Sequence, residues 1–264
     1  MGLGGKLALI TGSAKGLGRM TALALAEQGC DIVVNYVKSA NEAAELVRQL
    51  NRRGVRAAAI QADMSVSGDV QRLIEQTAAG MGRMPDIVIN NAGPFIRERR
   101  RFAEYTLEEI RMLVYGNLVG VMQLDHAVIP HMRRQRWGRI IHFGFAHAAE
   151  ARGWPHRAVY AAAKVGLVSF TKTLAVEEAE YGITVNMVCP GDVRGDNKER
   201  TIEQVKHETD SEAPRGRPGS GEDITRVIVF LCQDASDYIT GNIINIHGGL
   251  DPIRTLPLRR TEKE

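Results

Sequence analysis

Apolar positions along the chain fall into two alternating rhythms. Short runs rich in β-branched residues, LALIT (7–11), DIVVN (31–35), VRAAAI (55–60), DIVIN (86–90), RIIHF (139–143), ITVNMV (183–188) and NIINI (242–246), are almost continuously apolar. Longer stretches of helical patterning separate them. Strands of this kind are buried on both faces, and their alternation with helices predicts an α/β fold with a parallel sheet covered on both sides. There is no internal repeat, no low-complexity tract and no linker between two cores, so residues 1–264 read as a single domain. The least regular stretch is 192–221, DVRGDNKERTIEQVKHETDSEAPRGRPGSG, which is charged and follows the sixth strand. Ligands of open α/β sheets bind beyond the carboxyl ends of the strands, so this segment is a candidate substrate lid.

Composition narrows the class without naming a chemistry. Hydrophobic residues at 44% and charged residues at 25% are ordinary for a soluble domain, and no apolar run of membrane-spanning length is evident. The start, MGLGGKLALI, enters a strand with no signal-peptide core, and Lys6 stands where a myristoylation signal after Gly2 has Ser or Thr. Cys30, Cys189 and Cys232 are far apart and odd in number, which supports neither a disulfide framework nor a metal site and fits a reducing cytoplasm. The net charge of +3 is too small to argue for nucleic acid. The basic runs RERRR (97–101) and HMRRQRWGR (131–139) read as solvated loop and helix ends.

The first strand ends in Thr11-Gly12-Ser13-Ala14-Lys15-Gly16-Leu17-Gly18 and a helical pattern follows. Glycines allow a sharp turn, close approach of backbone amides to a diphosphate and tight helix packing, while the helix amino end offers positive charge. The turn is therefore a dinucleotide cradle. An acid at the end of the second strand would hold the ribose 2′-hydroxyl of NAD, but that end reads Asn35-Tyr36-Val37-Lys38-Ser39. Lys15 and Lys38 complement a 2′-phosphate instead, which favours NADP(H) over NAD(H).

Taken with Asn90-Asn91-Ala92-Gly93, the Tyr160/Lys164 pair and Pro190-Gly191, this turn makes the chain resemble the short-chain dehydrogenase/reductase family over almost its whole length. The closest likeness is to its 3-oxoacyl-carrier-protein-reductase-like members. The resemblance implies a Rossmann-type, doubly wound, seven-stranded parallel sheet and a homotetramer packed through the helices bearing Asn117 and Tyr160 and the last strand. It places Asp63 and Met64 beside the adenine, Asn90, Ala92 and Gly93 along the adenosine ribose, and Pro190, Gly191 and Val193 beside the nicotinamide. Asn117 is the helix asparagine that holds a proton-relay water, and Lys164 holds the nicotinamide ribose. Gly195 stands where the family has a threonine.

Residues four apart on a helix share a face, so Tyr160 and Lys164 can serve one site. A tyrosine hydroxyl titrates near pH 10, and an adjacent ammonium is expected to lower it toward neutrality. Tyr160 would then protonate a carbonyl oxygen as hydride arrives. The family's serine, which bonds the substrate oxygen, has no counterpart between His142 and Lys164. Counting thirteen residues back from Tyr160 gives His147, whereas aligning the strand Gly138-Arg139-Ile140-Ile141 gives Phe145 and two extra residues. Strand register resists slippage and loops accept insertions, which favours Phe145. Losing one such donor costs on the order of 10²–10³ in rate, which leaves room for activity. A displaced donor would restore part of it, with His147 first and His142 and His156 behind it. The charged lid and the bulky Phe145 suggest a compact polar substrate. The reading is an NADPH-dependent carbonyl reductase acting on a small molecule; the rival is an NADP(H)-binding protein that has lost turnover and serves regulation or assembly.

Overall fold

The computed structural model describes residues 2–251 and Ile253; the remaining ends of the single domain expected over 1–264 lie outside the described residues. The seven apolar runs form β1 (Leu7–Ile10), β2 (Asp31–Tyr36), β3 (Ala57–Gln61), β4 (Ile87–Asn90), β5 (Gly138–Phe143), β6 (Ile183–Pro190) and β7 (Ile243–Ile246). They make one parallel sheet in the order β3-β2-β1-β4-β5-β6-β7. Four of them, β1, β4, β5 and nearly all of β6, are buried along their length, which is why their sequences carry no polar alternation.

The helices are α1 (Gly16–Glu27), α2 (Ala40–Arg52), α3 (Ser67–Met81), α4 (Leu107–Val114), α5 (Gly120–Gln135), α6 (Ala158–Glu178), α7 (Ile202–Val205) and α8 (Gly221–Cys232). One core layer joins the sheet to α1, α2 and α8 through Ala22, Leu25, Leu46, Leu50, Ile224 and Ile228. The opposite layer joins it to α3, α5 and α6 through Leu73, Ile74, Leu124, Val128 and Leu174. Leu107–Gln135 and Ala158–Tyr181 are long and apolar enough to cross a membrane by composition alone, but each packs half of its most apolar window inside the protein. The same composition suits helices that cover a sheet.

The chain winds outward from β1 to β3, then returns to place β4 on the other side of β1. This reversal opens a crevice at the carboxyl ends of β1 and β4, where the glycine-rich turn and the Asn90–Gly93 turn face each other. Between α4 and α5 the helix widens into a π turn over Tyr115–Val119. Such turns interrupt the regular ladder and aim a side chain out of register, here Asn117.

The two basic runs are tied into the structure. Arg100 pairs with Glu109 at 2.8 Å, Arg133 with Glu178 at 2.5 Å, and Arg139 is buried with its guanidinium 4.5 Å from the Trp137 ring centroid. Cys30, Cys189 and Cys232 are free and buried.

Candidate active site

Gly12 and Gly16 both take left-handed backbone, with φ of 61° and 62°, which glycine adopts without steric cost, and a Cβ on Gly12 would also crowd Ala92 at 3.1 Å. A Cβ on Gly18 would lie 2.6 Å from the Gly12 carbonyl oxygen, so α1 can approach β1 this closely only without a side chain. Asn35 shapes the turn from below. Its Oδ1 accepts from Gly12 N–H at 2.9 Å, its Nδ2 donates to the carbonyls of Ile60 and Ala62, and its backbone N–H donates to Ser13 Oγ at 3.2 Å. Both side chains are fully buried. Asn35 and Ser13, expected in the cofactor contact, thus set the cradle's shape from beneath through hydrogen bonds within the protein. Asn91 supports the same turn from the other wall, donating to the carbonyls of Thr11 and Gly12 at 2.8 and 3.0 Å.

Lys15, Gly16, Leu17 and Asn91 line a groove of about 580 Å³ at the amino end of α1. Tyr36, Lys38 and Ser39 lie at and just beyond the carboxyl end of β2, and Asp63 and Met64 just beyond β3. Asp63 accepts from the backbone and hydroxyl of Ser65, at 2.8 and 2.7 Å, and Met64 is buried beneath it. Lys15 pairs with Glu42 at 2.5 Å across the first turn of α2. Asn90 is buried, with Nδ2 donating to Asp125 at 2.9 Å, so it braces β4 against α5 and presents no donor to the groove.

Leu17 and Asn91 also line a larger cleft of about 1040 Å³, together with Gly93, Asn117, Tyr160, Lys164, Pro190, Gly191 and Val193. The structure thus brings the tyrosine, the lysine, the asparagine and the proline-glycine turn to one space. Lys164 is only 3% exposed and donates from Nζ to the Phe143 carbonyl at 2.8 Å. Asn117 donates from Nδ2 to the carbonyls of Pro94 and Leu113, while its buried Oδ1 has no partner among the described residues. A Cβ on Gly93 would sit 2.3 Å from Asn117 Oδ1 and 3.4 Å from Lys164 Nζ. Glycine is therefore required at 93, where the backbone packs directly against the asparagine oxygen.

Burial governs the titration of the pair. It pushes the Tyr160 phenol well above its ordinary value and pulls Lys164 down to about 8. The expected lowering of Tyr160 by Lys164 is not the dominant effect, because removal from water disfavours both charged forms. At neutral pH Tyr160 carries its proton, the state a proton donor requires.

Phe145 follows β5 and is buried against Trp154, with ring centroids 4.8 Å apart. Both approach Tyr160, at 6.1 and 6.2 Å, and Phe95 meets Tyr160 edge-on at 4.9 Å. The wall beside the tyrosine is aromatic and apolar; polar groups such as Arg99, Asp192, Ser211 and Glu212 lie along the rest of the cleft. The compact polar substrate suggested by the sequence matches that outer part better than the part next to Tyr160. Segment 192–221 supplies Asp192, Val193, Arg194, Lys198, Ser211 and Glu212 to the lining.

His147, expected first among displaced donors, lies outside the cleft lining. Its Nδ1 is 2.5 Å from Glu150, and its ring lies 4.8 Å from that of His247. His142 is fully buried between Asp125 and Thr171, at 2.8 and 2.7 Å. His156 uses its carbonyl to receive Tyr105 and Arg157. Lys198 and Glu199 carry no recognisable motif, and they fold back onto the glycine turn from more than 180 residues along the chain. Gly16 N–H donates to Glu199 at 2.6 Å. Among the described residues no cluster of His, Cys, Asp or Glu could hold a metal ion.

Residues 12–251 match the family model described as enoyl-(acyl carrier protein) reductase. YtkK of Bacillus subtilis, a protein named as an oxidoreductase, is 47% identical over 93% of this chain and 96% of its own length. A solved structure from Bacillus thuringiensis, described as a 3-oxoacyl-reductase, superposes with a TM-score of 0.87 at 43% identity, covering 94% of this chain and 99% of the other. A blue fluorescent protein from a metagenomic library, solved in complex with NADPH, superposes with a TM-score of 0.80 at 31% identity, covering 94% and 99%.

Proposed function

Since the chain belongs to the short-chain dehydrogenase/reductase family and is an oxidoreductase of that family, we propose that it reduces a small-molecule carbonyl with NADPH, using Tyr160 as the proton donor. The observation that carries this reading is the convergence of Tyr160, Lys164 and Asn117 on one cleft that shares Leu17, Asn91 and Lys198 with the glycine-rich groove. The residues fit a dinucleotide: the turn glycines leave room for close approach, and α1 points its positive end into the groove. Lys15 in the groove lining and Lys38 beyond β2, together with the lack of an acid at the carboxyl end of β2, support NADP(H) over NAD(H), as does the likeness to a protein solved with NADPH.

When bound, the nicotinamide supplies the hydride. Tyr160 delivers its proton to the carbonyl oxygen, and in the reverse direction it takes the proton back. Lys164, fixed by the Phe143 carbonyl, places positive charge where the phenolate forms and where a nicotinamide ribose would lie. The π turn at Asn117 stands where the family's backbone would hold a relay water that returns a proton toward Lys164. Phe145 gives the carbonyl oxygen no bond, so Tyr160 carries the oxygen contact, and an apolar substituent would lie against Phe95 and Trp154.

The face made by α5 and α6 holds an open groove lined by Met122, Ala127, Phe170 and Leu174. It supports assembly through these helices, the homotetramer expected of the family, which analytical ultracentrifugation tests. The free buried cysteines support a reducing compartment such as the cytoplasm. The function is tested by NADPH and NADH oxidation across a panel of ketones, aldehydes and 1,2-diketones. Carbonyl-dependent oxidation with NADPH preferred is expected; NADPH binding with no turnover on any carbonyl would favour the regulatory rival.

A further inference from the structure

The seat that a dinucleotide's diphosphate would use already holds an anion of the protein's own. Gly16 is the first residue of the 12-residue α1, and its N–H donates to Glu199 Oε1 at 2.6 Å. The other carboxylate oxygen lies 3.3 Å from Arg19 Nη1 on the next turn of the same helix. Lys198 packs beside this contact: its Cδ lies 3.7 Å from where a Gly16 Cβ would stand. Its carbonyl leaves no room for a side chain on Gly221, where a Cβ would come within 2.1 Å. The Gly195–Glu199 turn is thus wedged between α1 and α8.

We propose that Glu199 is an affinity-setting residue of the cofactor site, a carboxylate that competes with the incoming diphosphate for the amino end of α1. The inference rests on reading that groove as a nicotinamide dinucleotide site. A carboxylate at a helix amino terminus engages the same N–H groups and the same positive end that a phosphate would. Gly16 has one N–H, so the two anions cannot both receive it, and a diphosphate placed beside Glu199 meets a like charge. Cofactor binding therefore requires the carboxylate to leave Gly16. Arg19 does not lose its only partner when that happens, because its Nη2 also donates to Gln49 at 2.8 Å. Lys198, which lines both the groove and the catalytic cleft, is the cation that meets the phosphates as its neighbour withdraws. Gly195 stands where the resemblance places a threonine, and Glu199, four residues on, opposes phosphate. The segment is thereby coupled to the cofactor: the dinucleotide binds at the expense of the contact that fastens residues 195–199 to α1.

The test is direct binding, read by NADPH fluorescence on the full chain, for the wild type, Glu199→Gln and Glu199→Ala, with inorganic pyrophosphate as a competing probe. Both variants are expected to bind NADPH about tenfold tighter, and pyrophosphate to displace it at correspondingly lower concentration. Hydrogen exchange over 195–205 in the unliganded variants is expected to rise, since the fastening contact is weakened. Unchanged or weaker NADPH binding in both variants, with the wild type binding normally, would overturn this inference alone. Unchanged exchange over 195–205 would also overturn it. No dinucleotide binding by any form would overturn the cofactor reading and this inference with it.

Discussion

Lys164 donates its buried ammonium to the Phe143 carbonyl at 2.8 Å, so an α6 side chain is bonded to the last residue of β5 directly beneath the catalytic cleft. The contact orients the ammonium but does not replace its lost hydration, and burial lowers Lys164 to about 8. Below that pH the folded protein carries a charge it accommodates poorly, while the unfolded chain keeps its lysine protonated up to about 10.4. The folded state then binds fewer protons than the unfolded state between these values, so stability rises with pH across that window. Lys164→Met is expected to raise the melting temperature at pH 7, to narrow that advantage as pH rises from about 8 toward about 10.4, and to abolish turnover. Calorimetry across pH checks the first two effects; a destabilised variant at pH 7 would contradict them.

Gly93 is held by what stands opposite it. A methyl group there would lie 2.3 Å from Asn117 Oδ1, inside any real contact. Gly93→Ala is expected to lower turnover by at least 100-fold, consistent with the loss from a small displacement of a catalytic group. Adding Asn117→Gly is expected to return thermal stability toward wild type without returning activity. Melting curves and kcat measured together separate the two effects.

Phe145 and His147 make opposite predictions. Replacing the phenylalanine with serine puts a hydroxyl where the aromatic wall now meets Tyr160, and one added oxygen contact of this type is worth up to about 10²-fold in rate. Phe145→Ser is expected to raise kcat on simple ketones, with a modest loss of stability from the emptied volume. His147→Ala is expected to leave kcat within about twofold, because the imidazole is held by Glu150 beside His247, away from the cleft lining. A large loss of kcat in His147→Ala would restore the histidine as an oxygen-holding donor.

Beneath the site runs a buried chain, Asn90 to Asp125 to His142 to Thr171, joining β4, α5, β5 and α6. Among these, β5 carries Phe143, α6 carries Lys164, and α5 continues from the π turn that carries Asn117. Removing one partner of a buried hydrogen-bonded pair leaves the other unpaired, so Asp125→Ala is expected to destabilise the protein by about 3 kcal/mol. The double variant Asp125→Leu with His142→Leu is expected to recover part of that loss, measured by denaturant unfolding.

The sheet was legible because each strand is a buried apolar run, bounded where the chain must turn. The glycine turn was legible because glycine enters the left-handed backbone of Gly12 and Gly16 without steric cost. Tyr160, Lys164 and Asn117 were legible as a set, through their spacing and the family likeness. What the sequence hid is what depends on contact between distant segments. Asn35 and Ser13 looked like ligand contacts by position, but their hydrogen bonds turn inward and hold the turn together. His147 looked usable because its loop had no fixed register until Asn245 of β7 took its backbone N–H at 2.9 Å. Glu199 gave no local signal at all, since its partner lies 183 residues away.

The account stands most directly on Tyr160. Carbonyl-dependent NADPH oxidation by Tyr160→Phe, measured beside NADPH affinity on the same preparation, should fall by at least about 10³-fold while affinity stays within a few-fold of wild type, because the hydroxyl donates the proton and the ring keeps its aromatic neighbours. Turnover retained at the wild-type rate would contradict the assignment of Tyr160 as proton donor.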